Sequence, residues 1–145
     1  MKALLQRVTC AEVQVSGQSV GAIGPGLLVL LGLDSDDTLD AGKKLIDKLL
    51  GYRVFADAQD RMNLSVRDSG GGVLMVSQFT LAADTRKGLR PSFSSAMPPA
   101  QAEPLFQQLY AYLCEQHPQV AGGKFGADMQ VSLVNDGPVT FLLQV

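Results

Sequence analysis

Two apolar runs that open on glycine constrain this chain more than any other feature: GLLVLLGL at 26 to 33 and GVLMVSQFTL at 72 to 81. Neither alternates polar with apolar residues over its apolar part, so neither leaves a face for water. Such runs read as strands covered on both faces, as in sheets with helices packed against them. The sequence between them supplies a helix. From 36 to 50, Leu39, Gly42, Ile46, Leu49 and Leu50 recur on one face, while Asp40, Lys43, Lys44, Asp47 and Lys48 fall largely outside. Asp34 or Ser35 is expected to cap it, Asp36 and Asp37 to suit its first turn, and Gly51 to stop it.

The remaining elements follow from shorter patterns. Residues 2 to 8 and 12 to 15 read as strands, with a turn at Ser16-Gly17-Gln18. Residues 52 to 57 alternate weakly and 62 to 71 more clearly. A long irregular stretch, 82 to 100, carries Gly88, Pro91, Pro98 and Pro99; loops of this length are commonly functional. A second amphipathic helix is predicted over 101 to 116, with Ala102, Leu105, Leu109, Tyr112 and Leu113 inward and Pro104 in its first turn. Residues 124 to 134 and 138 to 145 read as closing strands around Asn135-Asp136-Gly137-Pro138. The result is a single α/β (α+β) domain spanning 1–145, with a mixed sheet of seven or eight strands and two principal helices. At 145 residues and 46 % apolar, such a domain needs no metal or disulfide to hold its core. Its mean hydropathy of +0.14, with 15 glycines, points to a strand-rich fold with tight turns or to an oligomer that buries further surface.

Several function classes drop out. Cys10 and Cys114 match no zinc or disulfide pattern, and a single histidine, His117, cannot build a multi-histidine site. His117, beside Pro118 at a predicted helix end, reads as a capping or surface residue. No metal and no cofactor are expected, for no GxGxxG, Walker, HExxH, CxxC or GxSxG pattern occurs. The start MKALLQRVTC is broken at Gln6 and Arg7 and does not read as a signal peptide, and no apolar run is long enough to span a bilayer. A cytoplasmic protein without a membrane partner is the expectation. A net charge of −2 argues against holding nucleic acid mainly by charge, and no DNA partner is expected. A small basic surface remains available at Arg86, Lys87 and Arg90.

Two polar interruptions carry the remaining interest. Ser77, Gln78 and Thr80 break an apolar strand as it enters the long loop, a common place for functional groups in α/β domains. They equally well satisfy local backbone groups around a core Phe79, and Thr80 has no neighbouring base in sequence to activate its hydroxyl. Gly137-Pro138 reads either as a hairpin tip or as stiff backbone whose carbonyls face a ligand; an X-Pro bond admits the cis isomer.

The pair SQFTL at 77 to 81 and NDGPVTF at 135 to 141 resembles the two signatures of the D-aminoacyl-tRNA deacylases. MKALLQRVTCAEVQV, GPGLLVLLGL, the Arg-Lys-Gly loop and RPSF resemble the same family in the same order. The resemblance implies a homodimer of barrel-like α/β subunits, with active sites at the interface. It implies hydrolysis of the ester between a D-amino acid, or mischarged glycine, and the terminal adenosine of tRNA. Ser77, Gln78, Phe79 and Thr80 would line the catalytic pocket, with backbone N–H groups near Phe79 and Thr80 on the ester carbonyl. Gly137 and Pro138, cis and reaching into the partner's site, would receive the substrate's amino group and reject L side chains. Arg7 would fix that loop. Water would be oriented with help from the ribose 2′-hydroxyl, and Arg86, Lys87 and Arg90 would meet phosphates near the acceptor end. From the residues alone, a non-catalytic RNA-binding module and a small-molecule esterase or amidase using Thr80 stay open.

Overall fold

Strand β1 (Lys2–Val15) is the organising element, because it hydrogen-bonds along both edges. The computed structural model describes residues 1–145 throughout. One edge of β1 pairs antiparallel with β3 (Gly26–Gly32) over residues 2 to 8 and with β2 (Gln18–Ile23) over residues 11 to 15. The other edge pairs with β8 (Gln130–Gln144) along nearly its whole length. The two strands expected at 2 to 8 and 12 to 15 are therefore one, bent where its register with β8 shifts between Gln6 and Cys10. The bend replaces the expected break, since a bulge re-aims a strand without ending it.

The two apolar runs behave as their composition requires. β3 and β6 (Gly72–Ser77) lie parallel at the centre, and β7 (Val120–Gly122) extends the sheet in the same direction beyond β6. Leu27, Val29 and Leu31 face the larger core with α1 (Leu39–Gly51) and α3 (Pro99–Gln116). Leu28, with Leu74, Val76, Val8 and Val13, forms a second, smaller core on the opposite face. That second core exists because the sheet curls over itself. β2 and β7 meet at Gly21 and Gly122, where a methyl on Gly21 would lie 2.5 Å from the Gly122 carbonyl. The sheet is thus a nearly closed, barrel-like mixed sheet with helices on one side.

Several local expectations shift. The N-cap of α1 is Thr38, whose Oγ1 accepts from Ala41 N–H at 3.3 Å. Asp34 and Asp37 are drawn away by the chain's α-ammonium, at 2.8 and 2.7 Å, and Asp37 also accepts from Asp34 N–H. Residues 62 to 71 do not form one strand. β5 (Met62–Leu64) pairs with β4 (Phe55–Ala56), and then Ser65 and Asp68 close a capping box that starts the short α2 (Val66–Ser69). The second principal helix begins at Pro99 rather than 101, which puts Pro104 in its second turn, and it buries Phe106. The Tyr112 hydroxyl donates to Asp47 at 3.0 Å, tying α3 to α1 across their exposed rims.

Candidate active site

The polar break at Ser77 ends a strand. Leu31 pairs with Ser77 in the parallel ladder, and the next N–H, that of Gln78, donates to Leu31 O at 2.8 Å. The chain then leaves the sheet in a 3-10 turn, Phe79–Ala82, closed by Leu81 N–H to Gln78 O at 3.2 Å and Ala83 N–H to Thr80 O at 3.2 Å. Sequence reasoning extended the strand to residue 81. What overrides it is Gly32: a methyl there would stand 2.7 Å from Leu81 Cβ and 3.0 Å from Gln78 O, so its absence lets the turn fold down over β3.

This turn leaves two donors unused. The N–H groups of Phe79 and Thr80 come first in it, where a 3-10 turn offers no internal acceptor, and neither donates to a side chain or loop carbonyl. Beside them Gln78 Nε2 donates to Thr80 Oγ1 at 2.6 Å. The Phe79 ring projects outward, 61 % of the residue exposed, and meets Phe93 at 5.0 Å between centroids. Ser77, Gln78 and Phe79 line a cleft of about 730 Å³ whose other walls, mainly apolar, include Phe93, Met97 and Phe125. Thr80 stands beside the cleft rather than in its lining.

The long loop is anchored to this site. Ser95 Oγ donates to Ala82 O at 2.5 Å, Ser35 N–H to Ser95 O at 2.9 Å, and Met97 N–H to Leu33 O at 3.0 Å. Its tip is a hairpin in which Asp84 and Ser92 exchange backbone hydrogen bonds of 2.8 and 3.2 Å. Of the three predicted basic residues, Arg86 is engaged. Its guanidinium donates twice to Asp84, at 2.9 and 2.7 Å, and these bonds hold the Asp84 carboxyl well below the usual carboxylate range. Lys87 and Arg90 form no ion pair, and Leu89 between them is fully exposed.

The second motif is not a hairpin tip, and the expected pair of closing strands is one strand. β8 runs past it in a single direction, pairing Leu133 with Ala11 before it and Leu142 with Leu4 after it. Between the pairs Val8–Asn135 and Gln6–Thr140, one β1 residue, Arg7, stands opposite 136 to 139, which bulge out of the sheet. Strand pairing on both sides holds β8 in line, so the turn-forming residues produce an excursion instead of a reversal. The Gly137-Pro138 peptide is cis, and Gly137 has φ +133°. Arg7 Nε–H donates to Asp136 O at 3.1 Å, and another guanidinium N–H donates to Val54 O at 2.7 Å. Asp136, Gly137 and Pro138 are exposed, and neither Gly137 nor Pro138 lines the cleft of its own chain.

The structure therefore makes two clusters of the candidates. Ser77, Gln78, Phe79 and Thr80 form one, and Arg7, Gly137 and Pro138 the other. Phe93, Met97 and Phe125 were missed as pocket residues, and only Phe93, an aromatic in a proline-flanked polar loop, carried a sequence signal. His117 belongs to neither cluster. It is the buried C-cap of α3, and its Nε2–H donates to Gly71 O at 2.7 Å. Nowhere do three or more His, Cys, Asp or Glu side chains gather as metal ligands. No helix is long and apolar enough to cross a membrane.

Fold and site define a class: a barrel-like α/β domain whose cleft has aromatic walls with unused backbone donors beside it, and no assembled nucleophile–base pair among the candidate residues. A family model described as D-Tyr-tRNA(Tyr) deacylase matches residues 4–144, and the chain belongs to that family. A D-aminoacyl-tRNA deacylase of Azotobacter vinelandii (strain DJ) is 65 % identical over 144 residues, covering 99 % of each chain. One from Pseudomonas putida (strain W619) is 62 % identical over 145 residues, covering both chains completely. Among solved structures, one described as c-Myc DNA unwinding element binding protein matches with a TM-score of 0.96 and 42 % identity, covering 100 % of this chain and 99 % of the other. A probable eukaryotic D-amino acid tRNA deacylase matches with a TM-score of 0.85 at 16 % identity, covering 99 % and 98 %, a likeness of fold.

Proposed function

We propose that this chain hydrolyses the ester between a D-amino acid and the terminal adenosine of tRNA, and removes mischarged glycine by the same route. The observation that carries the reading is the pair of unused N–H donors, Phe79 and Thr80, beside an aromatic cleft in a member of this family. Aromatic walls suit a stacked base. Two adjacent unused N–H groups suit an ester carbonyl gaining negative charge, where one such donor is worth about 3 kcal/mol. Water attacks the carbonyl carbon, the acyl–oxygen bond breaks, and the ribose 3′-oxygen takes a proton as it leaves. The ribose 2′-hydroxyl orients that water, so the protein positions and polarises.

Thr80 acts in positioning. Its Oγ1 accepts from the Gln78 amide N–H at 2.6 Å, and a side-chain NH₂ donates only and cannot remove a proton from the hydroxyl. This disfavours a covalent acyl-threonine.

The working unit is a homodimer in which the Gly137-Pro138 bulge of one copy enters the cleft of the other. Support comes from the bulge's separation from its own cleft and from the sheet's outer face. Leu30, Leu4 and Leu142 sit side by side there in register, with Val134 and Val145 also exposed. The bulge's backbone carbonyls receive the substrate ammonium, and its crowded backbone leaves no space for an L side chain. Glycine, without a side chain, passes. Lys87 and Arg90 meet acceptor-end phosphates, and the protein acts in the cytoplasm.

The test is deacylation of tRNA charged with D-tyrosine, D-aspartate, glycine or L-tyrosine. Release of the first three with L-tyrosyl-tRNA spared is expected. Sparing of both D-esters and glycine overturns the reading, and tight binding of a non-hydrolysable aminoacyl-adenosine without turnover would mark a binding module instead.

A further inference from the structure

The excursion at 136 to 139 is held from two sides, and only one hold is Arg7. The other is Asn135, the last β8 residue paired with β1 before the chain leaves the sheet. Its Oδ1 accepts from Val139 N–H at 3.1 Å, joining the two ends of the excursion. Its Nδ2 donates to Thr140 Oγ1 at 3.0 Å, and that oxygen also accepts from Gln6 Nε2 of β1 at 3.4 Å. The amide is thus fixed in orientation: oxygen toward Val139, nitrogen toward Thr140.

The position matters because the backbone there lacks ordinary partners. Residues 136 to 139 are out of the ladder, Pro138 has no N–H, and Val139 returns buried. A buried N–H without an acceptor is costly, and here a side chain replaces the missing strand partner. Opening that one bond would let the neck of the excursion widen and the Gly137 and Pro138 carbonyls move.

We propose that Asn135 is a positioning residue for chiral selection, its amide closing the neck of the 136 to 139 excursion and so setting where the Gly137 and Pro138 carbonyls stand. The inference rests on the reading of that excursion as the ammonium-binding, L-rejecting element. Thr140 and Gln6 serve it at one remove by orienting the amide.

The experiment compares full-length wild type, Asn135→Ala, Asn135→Asp and Thr140→Val on D-tyrosyl- and L-tyrosyl-tRNA. The readout is the ratio of the two kcat/KM values, with thermal unfolding alongside. Asn135→Ala should lose about tenfold in D-ester kcat/KM, as expected for one positioning hydrogen bond, and its D-to-L ratio should fall further as L-ester cleavage rises. Asn135→Asp keeps an acceptor for Val139 N–H, with the Thr140 hydroxyl turned to donate, and should recover most of the ratio. Thr140→Val should lower the ratio less than Asn135→Ala does.

A lowered Tm with an unchanged ratio in Asn135→Ala overturns the inference, as does an Asp variant no better than Ala. If Asn135→Ala does not fold, Thr140→Val decides, and an unaltered ratio there has the same force. A wild type inactive on the D-ester overturns the functional reading and this inference with it, whereas an active wild type with an insensitive Asn135 overturns the inference alone.

Discussion

Arg7 donates its Nε–H to the carbonyl of Asp136 at 3.1 Å, a contact between residues 129 apart in sequence. The same guanidinium holds Val54 O at 2.7 Å and lies 3.5 Å from the Asp136 carboxylate. It therefore ties the bulge of β8 both to β1 and to the segment following α1. Lysine carries the charge but not the planar fork that reaches two carbonyls at once. Arg7→Lys should lower D-tyrosyl-tRNA turnover about tenfold and weaken L-exclusion, with little change in Tm. Parallel single-turnover assays on the two esters check this.

Gly137→Ala acts on the bulge from inside. At φ +133° an L side chain is strained, and the added methyl would meet Val139 Cγ2 at 2.7 Å, Val139 N at 3.0 Å and the Arg7 guanidinium at 3.2 Å. Weaker D-ester turnover is expected, with a stability loss of about 1–3 kcal/mol from the combined strain. Unchanged D-turnover together with unchanged L-exclusion would count against the bulge as the selective element.

Gly32→Ala should damage the other cluster from beneath, leaving its own side chains unchanged. The methyl would press on Leu81 Cβ and Gln78 O, lifting the turn that presents the Phe79 and Thr80 N–H groups. Loss of one well-placed oxyanion donor costs about 10²–10³ in kcat. We expect a fall in kcat that exceeds any rise in KM, measured by steady-state deacylation of D-tyrosyl-tRNA.

The hairpin tip separates engaged from available charge. Lys87→Ala and Arg90→Ala should each reduce the slope of log K against log salt for tRNA binding by about one, weakening binding alike for D- and L-charged tRNA. Asp84→Asn frees Arg86 from its fork and should steepen that slope. Filter binding across a salt series reads all three.

Acid stability follows from carboxyls held low. Asp68 is lowered by the Ser65 backbone N–H, then by its hydroxyl, and Asp57 by the backbone N–H groups of Arg61 and Gln59. Burial pushes Asp34 up, but hydrogen bonds and charge from the α-ammonium and Lys2 outweigh it. All three lie below the ordinary 3.8 in the folded state. Their contribution is complete above that value and is lost as pH falls below it, where the unfolded chain binds more protons. The urea midpoint should fall below about pH 4, and Asp68→Asn should fall less steeply over the same range.

The sequence by itself determined whatever depends on near neighbours. The apolar stretches at 26 to 32 and 72 to 76 had to be strand interior covered on both faces, because no register of either offers water a polar side. Leu39 to Leu50 had to form an amphipathic helix, because its apolar spacing matches 3.6 residues per turn. The motifs around Thr80 and Gly137 pointed to the family. Tertiary structure decided what depends on distant partners. Asn135-Asp136-Gly137-Pro138 has the composition of a reversing turn, yet β8 continues past it because β1 binds both halves and Arg7 fills the gap. The strand from 72 stops at Ser77 because Gly32, 45 positions earlier by residue number, lets the turn descend. Phe93 and Phe125 reach one cleft through loops with no period to read. Local propensity fixes which conformations a segment favours; where several are close in energy, contacts across the sheet choose among them.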